Sequence, residues 1–135
     1  MDRDLKGKIM VSLLLLLTVT AEPLLSQEQT DTSAISKSTS DAYAIARRNP
    51  DIAIIMSHQS ISASRKLDYK KGIADASLAL GMAYLAKYNP GDSAWFYNAQ
   101  ALSLYEETED MAGMGRACYG LSYVYSFRGD VPSSE

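Results

Sequence analysis

Small and apolar residues recur at helical spacing in the middle of the chain. Between residues 69 and 87 they occupy positions i, i+3, i+6, i+7 and i+10 of one helix face, as Ala74, Ser77, Leu80, Gly81 and Tyr84. Asp68 precedes this stretch as its expected N-cap. The segment "YNPGD" follows it and predicts a turn, because proline cannot continue a helix.

A second helix is predicted between residues 92 and 108. Asp92 is its expected cap, its small and apolar face includes Ala94, Ala101 and Leu102, and the pattern ends at the acidic "EETED". No segment of the chain alternates polar and apolar residues with a period of two, so no strand is expected. We therefore predict an all-α fold.

Gly81 lies inside the first of these helices, where it costs about 1 kcal/mol relative to alanine. Two antiparallel helices that pack about 8–10 Å apart need a small residue where their backbones come closest. We expect Gly81 to be that contact, facing Ala94 of the second helix.

The sequence repeats itself at a fixed spacing. Eight pairs of identical residues stand 41 positions apart: Asp51/Asp92, Ala53/Ala94, Gln59/Gln100, Ser62/Ser103, Gly72/Gly113, Ala76/Ala117, Leu80/Leu121 and Tyr84/Tyr125. Tyr43 extends the last series one period upstream. A period near 40 indicates a solenoid in which a helix-turn-helix unit is stacked on its copies.

The helix pair resembles the tetratricopeptide (TPR) family. The segment "LGMAY" at 80–84 resembles the signature of the family's first helix, and residues 94–104 resemble that of its second. Residues 49–84 are similar to TPR regions in front of exported or membrane-anchored bacterial signalling proteins. The resemblance covers residues 33–135 and implies an all-α, TPR-like solenoid of about two and a half repeats. The spacing in this chain is longer than the family's usual period of about 34 residues.

The resemblance also implies a binding surface, because the first helix of each TPR repeat lines a concave groove. Carried over to this chain, the groove residues are Asp75, Leu78, Met82, Leu85, Arg116, Tyr119, Tyr123 and Phe127. The last three form an aromatic stripe at i, i+4 and i+8, which suits peptide binding, with Arg116 and Asp75 as polar orienting groups. Alternatively, the stripe packs against another part of the protein.

The segment 1–26 is predicted to be a signal peptide. Basic residues precede the apolar run "IMVSLLLLLTV" at 9–19, which is too short to span a membrane but suits a signal-peptide core. Cleavage is expected after Ala21 or Ser26, with an uncleaved membrane anchor as the alternative. Residues 27–32 are expected to form a flexible lead-in, and an exported protein is expected to act in the periplasm or elsewhere outside the cytoplasm.

Composition and charge argue against several classes of protein. The net charge of −3 and the 47% of apolar residues argue against a basic nucleic-acid binder and against a disordered acidic tail. The single cysteine, Cys118, excludes an internal disulfide, and its register predicts a small buried hydrophobe. Basic residues at 65–71 and acidic residues at 106–110 fall in successive turns, where they either pair across repeats or are solvated.

These features predict a protein- or peptide-binding scaffold, the sensory or interaction part of a larger bacterial signalling protein. No catalytic motif, metal site or cofactor site is recognised, so no enzyme activity is expected within these residues. The alternatives are a spacer or dimerisation region of an enzyme whose catalytic domain lies beyond residue 135, or a small secreted adaptor. The third repeat stops early, and we expect more chain, a partner or a second copy to cover its last helix.

Overall fold

The computed structural model describes residues 3–87 and 92–129, and these form five α-helices and no strand. The helices are α1 (Arg3–Ile45), α2 (Pro50–Lys66), α3 (Lys70–Ala86), α4 (Asp92–Glu107) and α5 (Met111–Arg128). The predicted all-α fold is therefore confirmed. Most of the turn predicted in "YNPGD", at 88–91, and the end of the third repeat, at 130–135, lie outside the described residues.

The chain divides into two compact units, Met1–Asp31 and Thr32–Glu135. The described part of the first unit is helical and belongs to α1. No helix within residues 3–87 and 92–129 is both long enough and apolar enough to cross a membrane. The signal peptide at 1–26 remains a prediction, whereas residues 27–32, expected to form a flexible lead-in, lie within α1.

Within the second unit, consecutive helices run antiparallel to each other. On α3 and α4, Ser77 hydrogen-bonds Gln100 at 3.0 Å, and the Tyr105 hydroxyl donates to Asp75 at 2.6 Å, so the numbering rises on one helix as it falls on the other. The pairs α4/α5 and α2/α3 are antiparallel as well. The end of α1 also runs antiparallel to α2, and Ser60 of α2 donates to Ser38 of α1 at 3.1 Å. Short connections of three to five residues enforce this arrangement.

Helix α3 is the centre of the second unit. It packs against α2 and α4 on either side and also contacts α5. Nearly every residue from Gly72 to Ala83 is buried, and most of them are small. Because small side chains leave little bulk between backbones, the neighbouring helices approach α3 closely.

The period of the sequence is also present in the geometry of the turns. Asp68 and Glu109, 41 positions apart, both adopt left-handed backbone conformations, with φ of 51° and 55°. The hydrogen bonds that close the two turns are also equivalent, from Tyr69 N to Ser64 O and from Asp110 N to Tyr105 O, each 2.9 Å long. The prediction that Asp68 caps α3 is wrong, because Tyr69 holds the cap position and Asp68 makes the left-handed turn before it.

Two equivalent ion pairs join the ends of successive helix pairs. Lys87 contacts Asp51 at 2.5 Å, and Arg128 contacts Asp92 at 2.8 Å, so both partners are displaced by 41 positions. Each pair places a carboxylate at a helix N-terminus and a cation at or just after a helix C-terminus, which also suits the two helix dipoles. Asp92, expected as a cap, is instead the first residue of α4.

A buried asparagine occupies the space between α3, α4 and α5. Asn98 of α4 is fully buried, and its amide nitrogen donates to Ala94 O at 2.8 Å. A Cβ atom added at Gly81 or at Gly120 would overlap the Asn98 amide. Gly81 is therefore a close helix contact, as expected, but the residue that it faces is Asn98, one turn beyond the predicted Ala94.

The prediction that Cys118 is buried is wrong. Cys118 is exposed on α5, although its equivalent in the preceding repeat, Ser77, is fully buried. Ser77 is buried because α4 covers that side of α3, where Gln100 bonds to it. No helix of residues 3–87 and 92–129 covers the corresponding side of α5, since α3 and α4 contact its other faces.

We predict that Gly81→Ala and Gly120→Ala each lower the free energy of unfolding by about 1–3 kcal/mol, the usual cost of overpacking a core. The introduced methyl group collides with Asn98, and this outweighs the gain in helix propensity of about 1 kcal/mol. Urea unfolding followed by circular dichroism measures the change.

Gly115→Ala is the matched control, because nothing lies within 4 Å of an added Cβ at this exposed position of α5. It should stabilise the protein by up to about 1 kcal/mol. In an Asn98→Ala background the penalty of Gly81→Ala should largely disappear. Equal stability of the Gly81→Ala and Gly115→Ala variants would contradict the steric explanation.

Candidate functional site

Helices α1, α3 and α5 share one face of the second unit, and two cavities follow each other along it. The first, here called the apolar cavity, has a volume of about 260 Å³ and is lined by Arg47, Met82, Leu85, Ala86, Tyr123 and Phe127. The second, here called the polar cavity, has a volume of about 150 Å³ and is lined by Ser36, Thr39, Ser40, Tyr43, Lys71, Asp75, Leu78 and Arg116.

Seven of the eight predicted groove residues line one or the other cavity. Met82, Leu85, Tyr123 and Phe127 line the apolar cavity, and Asp75, Leu78 and Arg116 line the polar one. Tyr119 lines neither, but its ring lies beside that of Tyr123. The structure thus places the eight residues on one face, with most of the apolar side chains at one end of the face and the charged ones at the other.

The aromatic residues of α5 form a continuous stripe. The ring centroids of Tyr119 and Tyr123 are 5.0 Å apart at 62°, and those of Tyr123 and Phe127 are 6.3 Å apart at 41°. These side chains are 48%, 41% and 58% exposed in chain order. Aromatic side chains left this exposed next to a cavity are typical of surfaces that bind other molecules.

Arg47 adds a positive charge to the stripe. Tyr123 lowers the pKa of the Tyr119 hydroxyl, and the Arg47 guanidinium acts in the same direction, since both stabilise the phenolate. In turn, Tyr119 raises the pKa of Tyr123. Arg47 was not among the predicted site residues, because it follows the end of α1 and belongs to no repeating helical position.

The polar cavity contains a small network of charges centred on Lys71. Its ammonium nitrogen lies 3.1 Å from Asp75 and 3.4 Å from Asp110. Burial lowers the pKa of Lys71, but the two carboxylates outweigh this and hold it above its usual value. Asp75 also accepts the hydroxyl of Tyr105, whose pKa is raised first by burial and then by this bond.

Asp110 connects this network to the start of α5. Its carboxylate caps the helix by accepting a hydrogen bond from Gly113 N at 2.9 Å. This bond is the main reason why the pKa of Asp110 lies below its usual value, and the charges of Lys71 and Arg116 act in the same direction. The bond from Gly113 N therefore favours the ionised form of the Asp110 carboxyl.

The charged turns are partly paired. Lys70 contacts Glu107 at 3.2 Å and Lys71 contacts Asp110, so two of the predicted pairings across repeats are present. Arg65 and Lys66 are exposed and form no ion pair with a residue that the structure describes. Pairing and solvation both occur, each at different residues of the same cluster.

The histidine His58 and the tryptophan Trp95 line neither cavity of the groove. His58 is exposed, with its ring 6.0 Å from that of Tyr97. Among the described residues no three His, Cys, Asp or Glu side chains are grouped so that they could hold a metal ion. Trp95 of α4 donates its indole N–H to the Tyr125 hydroxyl at 3.1 Å, which links the second repeat to the third.

A scan against protein-family models, a search of curated proteins and a search of solved structures each found no match.

We predict that Asp110→Asn makes the stability of the protein less sensitive to acid. The pKa of Asp110 is lower in the folded than in the unfolded state, so its contribution is full above about pH 4 and is lost as pH falls through the lower folded value. Asparagine still caps the helix but cannot titrate. Urea midpoints measured from pH 2 to pH 7 should show a shallower decline in the variant.

Asp110→Ala serves as the comparison, because it removes both the cap and the charge. It should be less stable than Asp110→Asn over the whole pH range. A decline for Asp110→Asn as steep as that of the wild type would show that other groups cause the acid sensitivity.

Proposed function

We propose that this chain is a TPR-like solenoid that binds a protein or peptide segment in the groove between α1, α3 and α5. One observation carries the proposal: seven residues that the resemblance to the TPR family implies as groove-lining line two consecutive cavities on one face. The equivalent turns and equivalent ion pairs of successive helix pairs support the repeat architecture.

The chemistry of the groove favours a peptide over a small molecule. The two cavities are open to solvent, and on α5 the exposed Tyr119 lies between Arg116 of the polar cavity and Tyr123 of the apolar one. Small-molecule sites are more enclosed, and exposed Tyr and Arg side chains are enriched where proteins bind each other. We further propose that binding takes place outside the cytoplasm, as the sensory or interaction part of a signalling protein.

The binding proposal is tested by panning a displayed library of random twelve-residue peptides on the full chain. We predict that a selected peptide loses about 2 kcal/mol of binding free energy, or roughly thirtyfold in Kd, when Tyr119 and Tyr123 are both replaced by alanine. Fluorescence anisotropy measures the Kd. Helicity should be unchanged, because both side chains are exposed.

Phe96→Ala is the control for this experiment. Phe96 is an equally exposed aromatic residue, at 53%, but it lies on α4 outside the groove. Its replacement should leave peptide binding unchanged. Failure to select any peptide, together with a dimer in sedimentation experiments, would instead support a dimerisation region, for which the exposed α5 side around Cys118 is the available surface.

The export proposal makes its own prediction. After expression in a bacterium with an intact secretion pathway, the N-terminus of the exported protein should begin at Glu22 or Gln27, because cleavage is expected after Ala21 or Ser26. N-terminal sequencing identifies the cut. Retention of residues 1–26 in the membrane fraction would favour the uncleaved anchor, and retention in the cytosol would contradict export.

A further inference from the structure

Around the groove, the cations of Arg47, Lys71 and Arg116 exceed the carboxylates of Asp75 and Asp110, both of which contact Lys71, by one positive charge. The two cavities are lined by Arg47, Lys71 and Arg116 but by only one carboxylate, Asp75. This excess lies in a chain whose net charge is −3. An exposed excess of one sign on a protein of the opposite net charge favours a partner that supplies the missing charge.

The two arginines are the cations available to such a partner. Lys71 is already held by Asp75 and Asp110. Neither Arg47 nor Arg116 forms an ion pair with a residue of 3–87 or 92–129. Guanidinium groups bind carboxylates well, because their donors match the two carboxylate oxygens.

The apolar cavity is suited to an apolar group of the same ligand, and not to its carboxylate. Apart from Arg47, its lining is made of Met82, Leu85, Ala86 and two aromatic rings. Its volume of about 260 Å³ far exceeds the roughly 30 Å³ that one water molecule occupies. A cavity of this size and lining takes up a large aliphatic or aromatic side chain.

The helices fix the distance between the two positions. Leu85 of the apolar cavity stands seven positions after Leu78 of the polar one, and Tyr123 likewise stands seven positions after Arg116 on α5. Seven helical residues span about 10 Å, at about 1.5 Å each. An extended peptide covers that distance in about three residues, at about 3.3 Å each.

We infer that the groove selects an acidic, extended peptide in which a carboxylate side chain stands three positions from a large apolar side chain. The apolar residue fills the cavity of Met82, Leu85 and Phe127, and the carboxylate pairs with Arg116. Arg47 favours a further negative charge next to the apolar residue. This inference rests on the proposed function, because it assumes that a peptide occupies the groove.

The test is the residue preference of the selected peptides. Twelve-residue peptides selected on the wild-type chain are aligned on their large apolar residue. Asp or Glu should be enriched three positions away, in either chain direction. Arg116→Glu should replace this enrichment by Lys or Arg at the same spacing, and Arg116→Gln should abolish it while the apolar preference remains.

The affinity of one selected peptide gives a second readout. Arg116→Gln should weaken binding about fivefold, the upper range for an exposed ion pair, and added salt should reduce the difference. Arg48→Glu and Arg48→Gln are the matched controls. They change the net charge equally, but Arg48 is an exposed neighbour of Arg47 that lines neither cavity.

The outcomes separate this inference from the proposed function. Peptides that are selected without an acidic residue at this spacing, or that bind the Arg116→Glu variant with the same preference, would overturn the inference and leave the groove as a peptide site. Selection of no peptide by a chain of normal helicity would overturn the proposed function itself. A shift in preference with the Arg48 variants would show a general charge effect and would also overturn the inference.

Discussion

The structure depends on how closely its helices approach each other. Asn98 of α4 extends into the space between α3 and α5, and only glycine at positions 81 and 120 leaves room for its amide. One buried side chain thereby sets the separation of three helices. Its Oδ1 atom accepts no hydrogen bond from the described residues, so desolvation of this atom opposes folding. We infer that this cost is offset because the buried amide fixes the register of the three helices: a buried polar group fits at few of their relative positions.

The groove is a consequence of this register. α3 and α5 both pack against α4 and contact each other, and Leu78 and Ala117 belong to one core cluster. Both cavities are lined by residues of α3 and α5, together with residues of α1 in the polar cavity and Arg47 in the apolar one. A change in the separation of α3 and α5 would therefore change the groove without altering any residue that lines it.

Much of this arrangement could be predicted from the sequence. Gly72, Ala76 and Leu80 recur one period later in the chain, and such a recurrence leads directly to stacked helix pairs. The choice of groove residues came from the resemblance to the TPR family, and seven of the eight line the two cavities. The period does not identify particular contacts. We expected Ala94 opposite Gly81, whereas the longer Asn98 side chain, one turn away, fills the space.

Other features depend on what a period does not encode. Cys118 has the register of a buried residue, but burial requires a covering helix as well as a register. Arg47 belongs to a connection, whose conformation is set by the local turn and not by helical spacing. Asp68 has the composition of a cap, yet the turn before α3 requires a left-handed residue there, and aspartate accepts this conformation better than most side chains.

The two repeats also differ in a way that concerns function. Positions 72, 76 and 80 of α3 are buried or packed against neighbours, and their equivalents on α5 are identical. The cavity-lining positions of α3 all differ from their equivalents on α5: Leu78 becomes Tyr119, Met82 becomes Tyr123 and Ala86 becomes Phe127. At one of them the charge is reversed, from Asp75 to Arg116.

Packing and ligand binding place different requirements on the residues of the same helix. Close packing against neighbouring helices restricts the side chain at positions 72, 76 and 80, and these positions repeat. A groove with the same side chains in every repeat would present the same chemistry along its whole length and could not fix the position of an extended ligand. Because the α3 and α5 positions that line the groove differ, the peptide proposed above would lie in one register, with its apolar side chain near Tyr123 and its charge near Arg116.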